Sequence, residues 1–280
     1  MAKAKSRRGH AAAVPANTKK LHRHKIKRFG WMPDLPDARD IMYAVPAAVR
    51  RLPRKVDLRK QCPAIYDQGD LGSCTANAIA AAIEFDRMAQ KLSTPNATPS
   101  RLFIYYNERI IESTVGEDSG AQIRDGIKSV AKVGACFEGR AKNEWPYAVT
   151  RFTTRPPKAC YQAALKNRAV SYHRLAQTLR QMKGCLASGF PFVFGFTCYE
   201  SFEGDTVANT GHLPMPKKKE TVIGGHAVLC VGYDDAKKRF LIRNSWGAEW
   251  GMKGYYTMPY DYLLNNNLSD DFWTIRIVSQ

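Results

Sequence analysis

The chain has no run approaching the ~20 apolar residues that span a bilayer, so no membrane span is expected. No apolar run follows its basic start either. Residues 11–14 stop at Pro15, and a secretory signal is not expected. There is no CxxC pair. The seven cysteines (62, 74, 136, 160, 185, 198 and 230) are odd in number and scattered, against both a disulfide framework and a cysteine-rich zinc site. No metal and no cofactor is expected, and the default compartment is the cytoplasm. The first 33 residues lack acidic groups, which leaves a mitochondrial presequence as an alternative, although they are poor in serine and not clearly amphipathic.

What is present is a soluble composition, with 44% hydrophobic and 24% charged residues over a length that can bury a real core. The net charge of +18 is uneven: residues 1–30 hold ten Lys or Arg and no acid. This stretch reads as a solvated basic tail. It has no aromatic interleaving for base stacking, so nucleic acid ranks as a secondary partner, behind a localising or inhibitory role.

Prolines at 33, 36, 46 and 53 keep residues 31–53 extended over a surface. The division expected is 1–51 as basic tail and proline-rich leader, and 52–280 as the folded domain, a monomer. Helical periodicity is concentrated early in that domain. Ala78, Ala81, Ala82, Phe85 and Ala89 share one face of a helix over about 73–91, and residues 100–111 and 121–133 are helical in pattern. Later segments change character, with β-forming runs at 190–197, 227–232 and 240–243. Helices followed by strands make an α+β chain of two lobes with a cleft between them.

Cys74 stands at the start of the first helix, where free N–H groups and the helix dipole favour a thiolate. On position alone a buried structural cysteine is the reading favoured over a nucleophile. His226 opens the strand at 227–232 after two glycines. The turn near Asp235 lies nine residues after His226 and nine before Asn244, so the two meet at the open end of a hairpin. An amide oxygen there can accept Nδ1–H and leave Nε2 to take a proton from a thiol. Contact with Cys74 does not follow from spacing.

The segments Gln68-Gly-Asp-Leu-Gly-Ser-Cys74, Gly225-His226-Ala-Val and Asn244-Ser-Trp-Gly-Ala-Glu-Trp-Gly-Met-Lys-Gly-Tyr resemble, in order, the signature blocks of the papain family of cysteine peptidases. The resemblance runs from about Leu52 to Tyr256. It implies the papain-like two-lobe fold and peptide or protein substrates cleaved through a thioester. Cys74 would then be the nucleophile, His226 the base and Asn244 its orienting group, with Gln68 in the oxyanion hole. It also implies that Trp246 covers the His226–Asn244 bond. The strip at Ser119 and Gly120 and the Gly225 carbonyl would meet the substrate backbone, and Trp145-Pro-Tyr147 would be structural. An amidase-like or transglutaminase-like acyl transferase is the nearest alternative; Gln68 and the Asn-Ser-Trp block favour the peptidase.

Two departures stand out. Thr75 replaces the family's tryptophan after the cysteine, and Leu71 stands where a disulfide cysteine is usual. Loss of that bridge fits a reducing compartment. Only 51 residues precede Leu52, in place of a long pro-region. The pattern resembles the short-leader bacterial members, in which the N-terminal segment can lie across the cleft and inhibit.

Overall fold

A computed structural model describes residues 29–46, 49, 51–92 and 97–279; the tail expected at 1–28 lies outside the described residues. The strands are β1 (Trp31–Met32), β2 (Lys55–Asp57), β3 (Ala121–Gln122), β4 (Ala169–Arg174), β5 (Phe192–Tyr199), β6 (Val222–Asp234), β7 (Arg239–Arg243), β8 (Tyr255–Pro259) and β9 (Ser269–Val278). The α-helices are α1 (Cys74–Ala89), α2 (Arg101–Ile111), α3 (Ile123–Lys132), α4 (Lys158–Ala164), α5 (Leu179–Ala187), α6 (Asp205–Thr210) and α7 (Tyr260–Leu264).

The first lobe is helical. Its axis is α1, whose alanines let α2, α3 and the sheet approach closely. Burial continues past the apolar first half of α1, where partners inside the fold meet Glu84 and Arg87. Tyr66 donates to Glu84, and Arg87 donates to Asn167 and to the Leu92 carbonyl. Ser100 caps α2 by accepting from the Phe103 N–H at 3.1 Å. Gly134, at φ +75°, ends the segment after α3 as its position in the sequence suggests.

The second lobe is an antiparallel sheet ordered β4-β9-β5-β6-β7-β8, with β2 added to the far end of β6. A short parallel pair, β1 with β3, lies apart from it and matches Trp31 with Ala121. Trp31 and Tyr43, from the segment before Leu52, are buried in the same core as α1 and β6. Both lobes therefore share one hydrophobic core, and α1 packs its N-terminal end against β6.

Candidate active site

The first turn of α1 brings Cys74 against the start of β6. The Ala227 N–H donates to Cys74 Sγ at 3.3 Å, and the backbones of Gly30 and Thr75 also donate to it. Cys74 is fully buried. Burial pushes its thiol up to about 12, outweighing those three backbone donors, and the Glu108 carboxyl adds to the rise. This reverses the thiolate expected from the helix N-terminus, because the segment at Gly30 keeps water from the sulfur.

His226, next to Ala227, is also fully buried. Its ring lies among Phe196, Phe202 and Trp246, with centroids at 5.8, 5.9 and 5.1 Å. Asn244 Oδ1 is 2.9 Å from His226 Nε2, and it accepts the Ser245 N–H at 2.9 Å as well. An atom that accepts from a backbone N–H is the amide oxygen, so Nε2 carries the ring hydrogen and donates. The ring nitrogens therefore take roles opposite to those expected from hairpin symmetry. The turn is closed by Asp234 with Arg239, so it centres between Ala236 and Lys237 rather than at Asp235; even after the register shift between Cys230 and Gly232, Leu229 pairs with Arg243 and Asn244 lies diagonal to His226. Nδ1 is left as the basic nitrogen.

Gln68 is fully buried; its Nε2 donates to the Leu71 carbonyl at 2.9 Å and its Oε1 accepts from Ser245 Oγ at 2.6 Å. Its own backbone N–H donates to the Ser245 carbonyl, which ties the turn before Cys74 to the segment after Asn244. Tyr147 donates to the Gln68 carbonyl at 2.9 Å and contacts Ser73 Oγ at 2.6 Å, so Trp145-Pro-Tyr147 buttresses that turn. Thr75 turns inward and donates to the buried Glu108 at 2.8 Å. Burial raises the Glu108 carboxyl well above its ordinary range.

The backbone strip at 118–120 is held by Asp118. Its carboxylate accepts the Gly72 N–H at 3.0 and 3.1 Å and the Tyr105 hydroxyl at 2.6 Å. The Gly120 N–H in turn donates to the Tyr105 oxygen at 3.1 Å. Ser119 turns its hydroxyl to Thr114 at 2.9 Å, so Gly120 and Ala121 meet the N-terminal segment instead.

That segment fills the space between the lobes. The Gly30 carbonyl accepts from the Ala121 N–H at 2.7 Å. A Cβ on Gly120 (φ +76°) would lie 2.3 Å from that carbonyl oxygen, and one on Gly225 would lie 2.6 Å from the Trp31 carbonyl oxygen. The Phe29 ring approaches His226 and Trp246, at 6.3 and 6.5 Å. Trp31 Nε1 and the Asp34 N–H both donate to Asp271 Oδ2, at 3.0 and 2.8 Å. Asp34 accepts from Trp273 Nε1 at 2.9 Å and from the Arg124 N–H at 2.9 Å. Burial raises both Asp34 and Asp271, the latter to about 7.

Sequence reasoning did not single out Asp271 or the contact of Gly30 with the thiol. The only local sign of Asp271 is a pair of acids, Asp270-Asp271, opening an otherwise apolar strand. Among the described residues, no three His, Cys, Asp or Glu are grouped to hold a metal ion, and no helix is long and apolar enough to cross a membrane.

Residues 52–269 match the family described as "Papain family cysteine protease". An uncharacterized peptidase C1-like protein of Acanthamoeba polyphaga mimivirus is 41% identical, over 90% of this chain and 88% of its own length. Among solved structures, xylellain, a cysteine protease from Xylella fastidiosa, superposes with a TM-score of 0.83 at 47% identity, covering 91% of this chain and 98% of its own. Digestive procathepsin L 3 of the Tenebrio molitor larval midgut shares the fold at 15% identity and a TM-score of 0.65, over 91% and 76% of the two chains.

Proposed function

The chain belongs to the papain family of cysteine proteases, and on that footing we propose that it hydrolyses peptide bonds with Cys74, His226, Asn244 and Gln68 as its machinery. The observation that carries the assignment is the Ala227 N–H donating to Cys74 Sγ while the adjoining His226 is locked by Asn244. With the cleft open, Sγ attacks the substrate carbonyl carbon and its proton passes to His226 Nδ1. The oxyanion is held by the Gln68 side-chain amide and the Cys74 N–H, and one such donor is worth on the order of 3–4 kcal/mol. Collapse breaks the C–N bond; His226 returns the proton to the departing amine, leaving a thioester on Cys74. Water, deprotonated by His226, then releases the acid and the free thiol. Asn244 keeps Nε2–H in place throughout, and Trp246 limits competition from water. Gly120 and the Gly225 carbonyl line the substrate backbone.

We read residues 29–46 as the inhibitor of this same site. Support comes from the Gly30 backbone donating to the sulfur and from the Trp31 carbonyl lying where a Cβ on Gly225 would be. All seven cysteines are free, which supports a reducing compartment, the cytoplasm. The test is hydrolysis of a panel of fluorogenic dipeptides by the full chain under reductant. Turnover is expected from the wild type and none from Cys74→Ala with an unchanged circular dichroism spectrum. Turnover retained by that variant moves the nucleophile elsewhere.

A further inference from the structure

Arg87, in the last turn of α1, is 7% exposed and forms no ion pair among the described residues. Its guanidinium donates one N–H to Asn167 Oδ1 and another to the Leu92 carbonyl, and its Cζ lies 5.0 Å from the Phe137 ring centroid. Nε has no acceptor. Glu84, one turn earlier, is the acid that this charge senses, and Glu84 Oε2 is already engaged by Tyr66. Burial pulls the guanidinium below its ordinary range, so a cation with donors to spare is held inside the fold.

Arg87, Asn167, Leu92 and Phe137 also wall a cavity of about 660 Å³. A further wall is α4. Ala159, Gln162 and Ala163, with Lys166 just past the helix end, stand at i, i+3, i+4 and i+7 and form one stripe along it. No Asp or Glu is among the described lining residues. The cavity thus brings two cations, Arg87 and Lys166, together with side-chain amides and an apolar surface. Its volume suits an organic molecule rather than a bare ion.

We propose that this cavity binds a small organic phosphate, a monoester whose dianion meets Arg87 and Lys166 and whose body lies on Leu92 and Phe137. Two cations without an acid beside them call for about two negative charges, which a phosphate monoester carries near neutral pH and a carboxylate does not. The site goes beyond the peptidase chemistry and does not depend on it. Arg87 follows Cys74 by thirteen residues on α1, on the order of 20 Å along the helix, so a ligand there leaves the thiol and the docked segment in place.

The experiment is isothermal titration of the full chain under reductant, at about pH 8 and about 0.15 M salt, with phenyl phosphate, benzoate and inorganic phosphate as probes. Phenyl phosphate is expected to bind one equivalent with a Kd below about 1 mM, and the other two about tenfold or more weakly. Arg87→Met, which keeps the aliphatic stem, weakens binding by about tenfold or more, and Lys166→Ala, at an exposed position, by about threefold or more. Ala163→Phe fills the cavity and removes binding. If Arg87→Met fails to fold, the other two variants decide, each with a circular dichroism spectrum matching the wild type. No saturable binding, benzoate or inorganic phosphate as tight as phenyl phosphate, or affinity unmoved by Lys166→Ala and Ala163→Phe overturns the site. Each of these outcomes leaves hydrolysis at Cys74 untouched.

Discussion

Gly30 lies against Gly72 so closely that a Cβ on Gly30 would be 1.8 Å from the Gly72 carbonyl oxygen. Gly72 is two residues before Cys74, so the segment can rest on the thiol only where position 30 has no side chain. Gly30→Ala is therefore expected to lift the segment while leaving the domain folded. The check is the rate of Cys74 alkylation by iodoacetamide, which should rise by about tenfold or more, since 1.4 kcal/mol of lost docking is a factor of ten. An unchanged rate removes the segment as inhibitor.

Gln68→Ala should lower kcat by roughly 10²–10³ with a smaller effect on KM, because its amide acts on the oxyanion rather than on bound substrate. Its Oε1 accepts from Ser245 Oγ at 2.6 Å, which fixes the amide so that nitrogen faces the Cys74 turn. A kcat within about threefold of wild type assigns the oxyanion hole to other groups.

Docking of the segment should weaken as pH rises. Asp271 is raised to about 7 and Asp34 is raised in the closed form, burial being the first cause for both. On opening, Asp34 returns to water and Asp271 loses the cover of Trp31 and the charge of Asp34, so both fall back toward the ordinary carboxylate range near 4. The closed form thus holds protons that the open form releases. Its extra stability is complete below about pH 4 and is lost as pH climbs to about 7. Hydrogen exchange of residues 30–34, corrected for its intrinsic pH dependence, should show opening increase across that window, and Asp271→Asn should flatten the change. Docking that strengthens from pH 4 to 7 would contradict the assignment.

Reductant should leave the melting temperature unchanged, since all seven cysteines are free. Leu71 is buried as a plain apolar residue, and the Gly72 N–H on Asp118 joins two loops of the helical lobe without a covalent bond. Asp118→Ala should cost about 1–3 kcal/mol by leaving the Gly72 and Tyr105 donors unpaired. A fall in melting temperature on adding dithiothreitol would show a bridge.

Cys74, His226 and Asn244 are legible in sequence because their chemistry needs fixed residue types beside fixed turns. The helix at Cys74 and the hairpin between β6 and β7 are written in local periodicity. The ring-nitrogen assignment failed because residue counting centred the turn at Asp235, whereas Asp234 pairs with Arg239 and the turn centres beyond Ala236, which leaves Asn244 diagonal to His226 instead of opposite it. Asp271 stayed hidden because its partners Trp31 and Asp34 lie about 240 residues away, beyond any local pattern. Glu84, in the charged second half of α1, is buried with Tyr66 from outside the helix donating to it, a partner that no local pattern announces. The raised Cys74 thiol was unreadable for the same kind of reason: it depends on what covers the helix end.

The most direct test of the central claim, that Cys74 is the reacting group, is titration of the full chain under reductant with a limiting alkylating agent. Residual hydrolysis is measured against the site of modification read by mass spectrometry. Loss of activity is predicted to follow modification of Cys74 one for one, with the other six cysteines unlabelled at the point of full inactivation. Activity that persists with Cys74 fully alkylated, or that disappears with the label elsewhere, would contradict it.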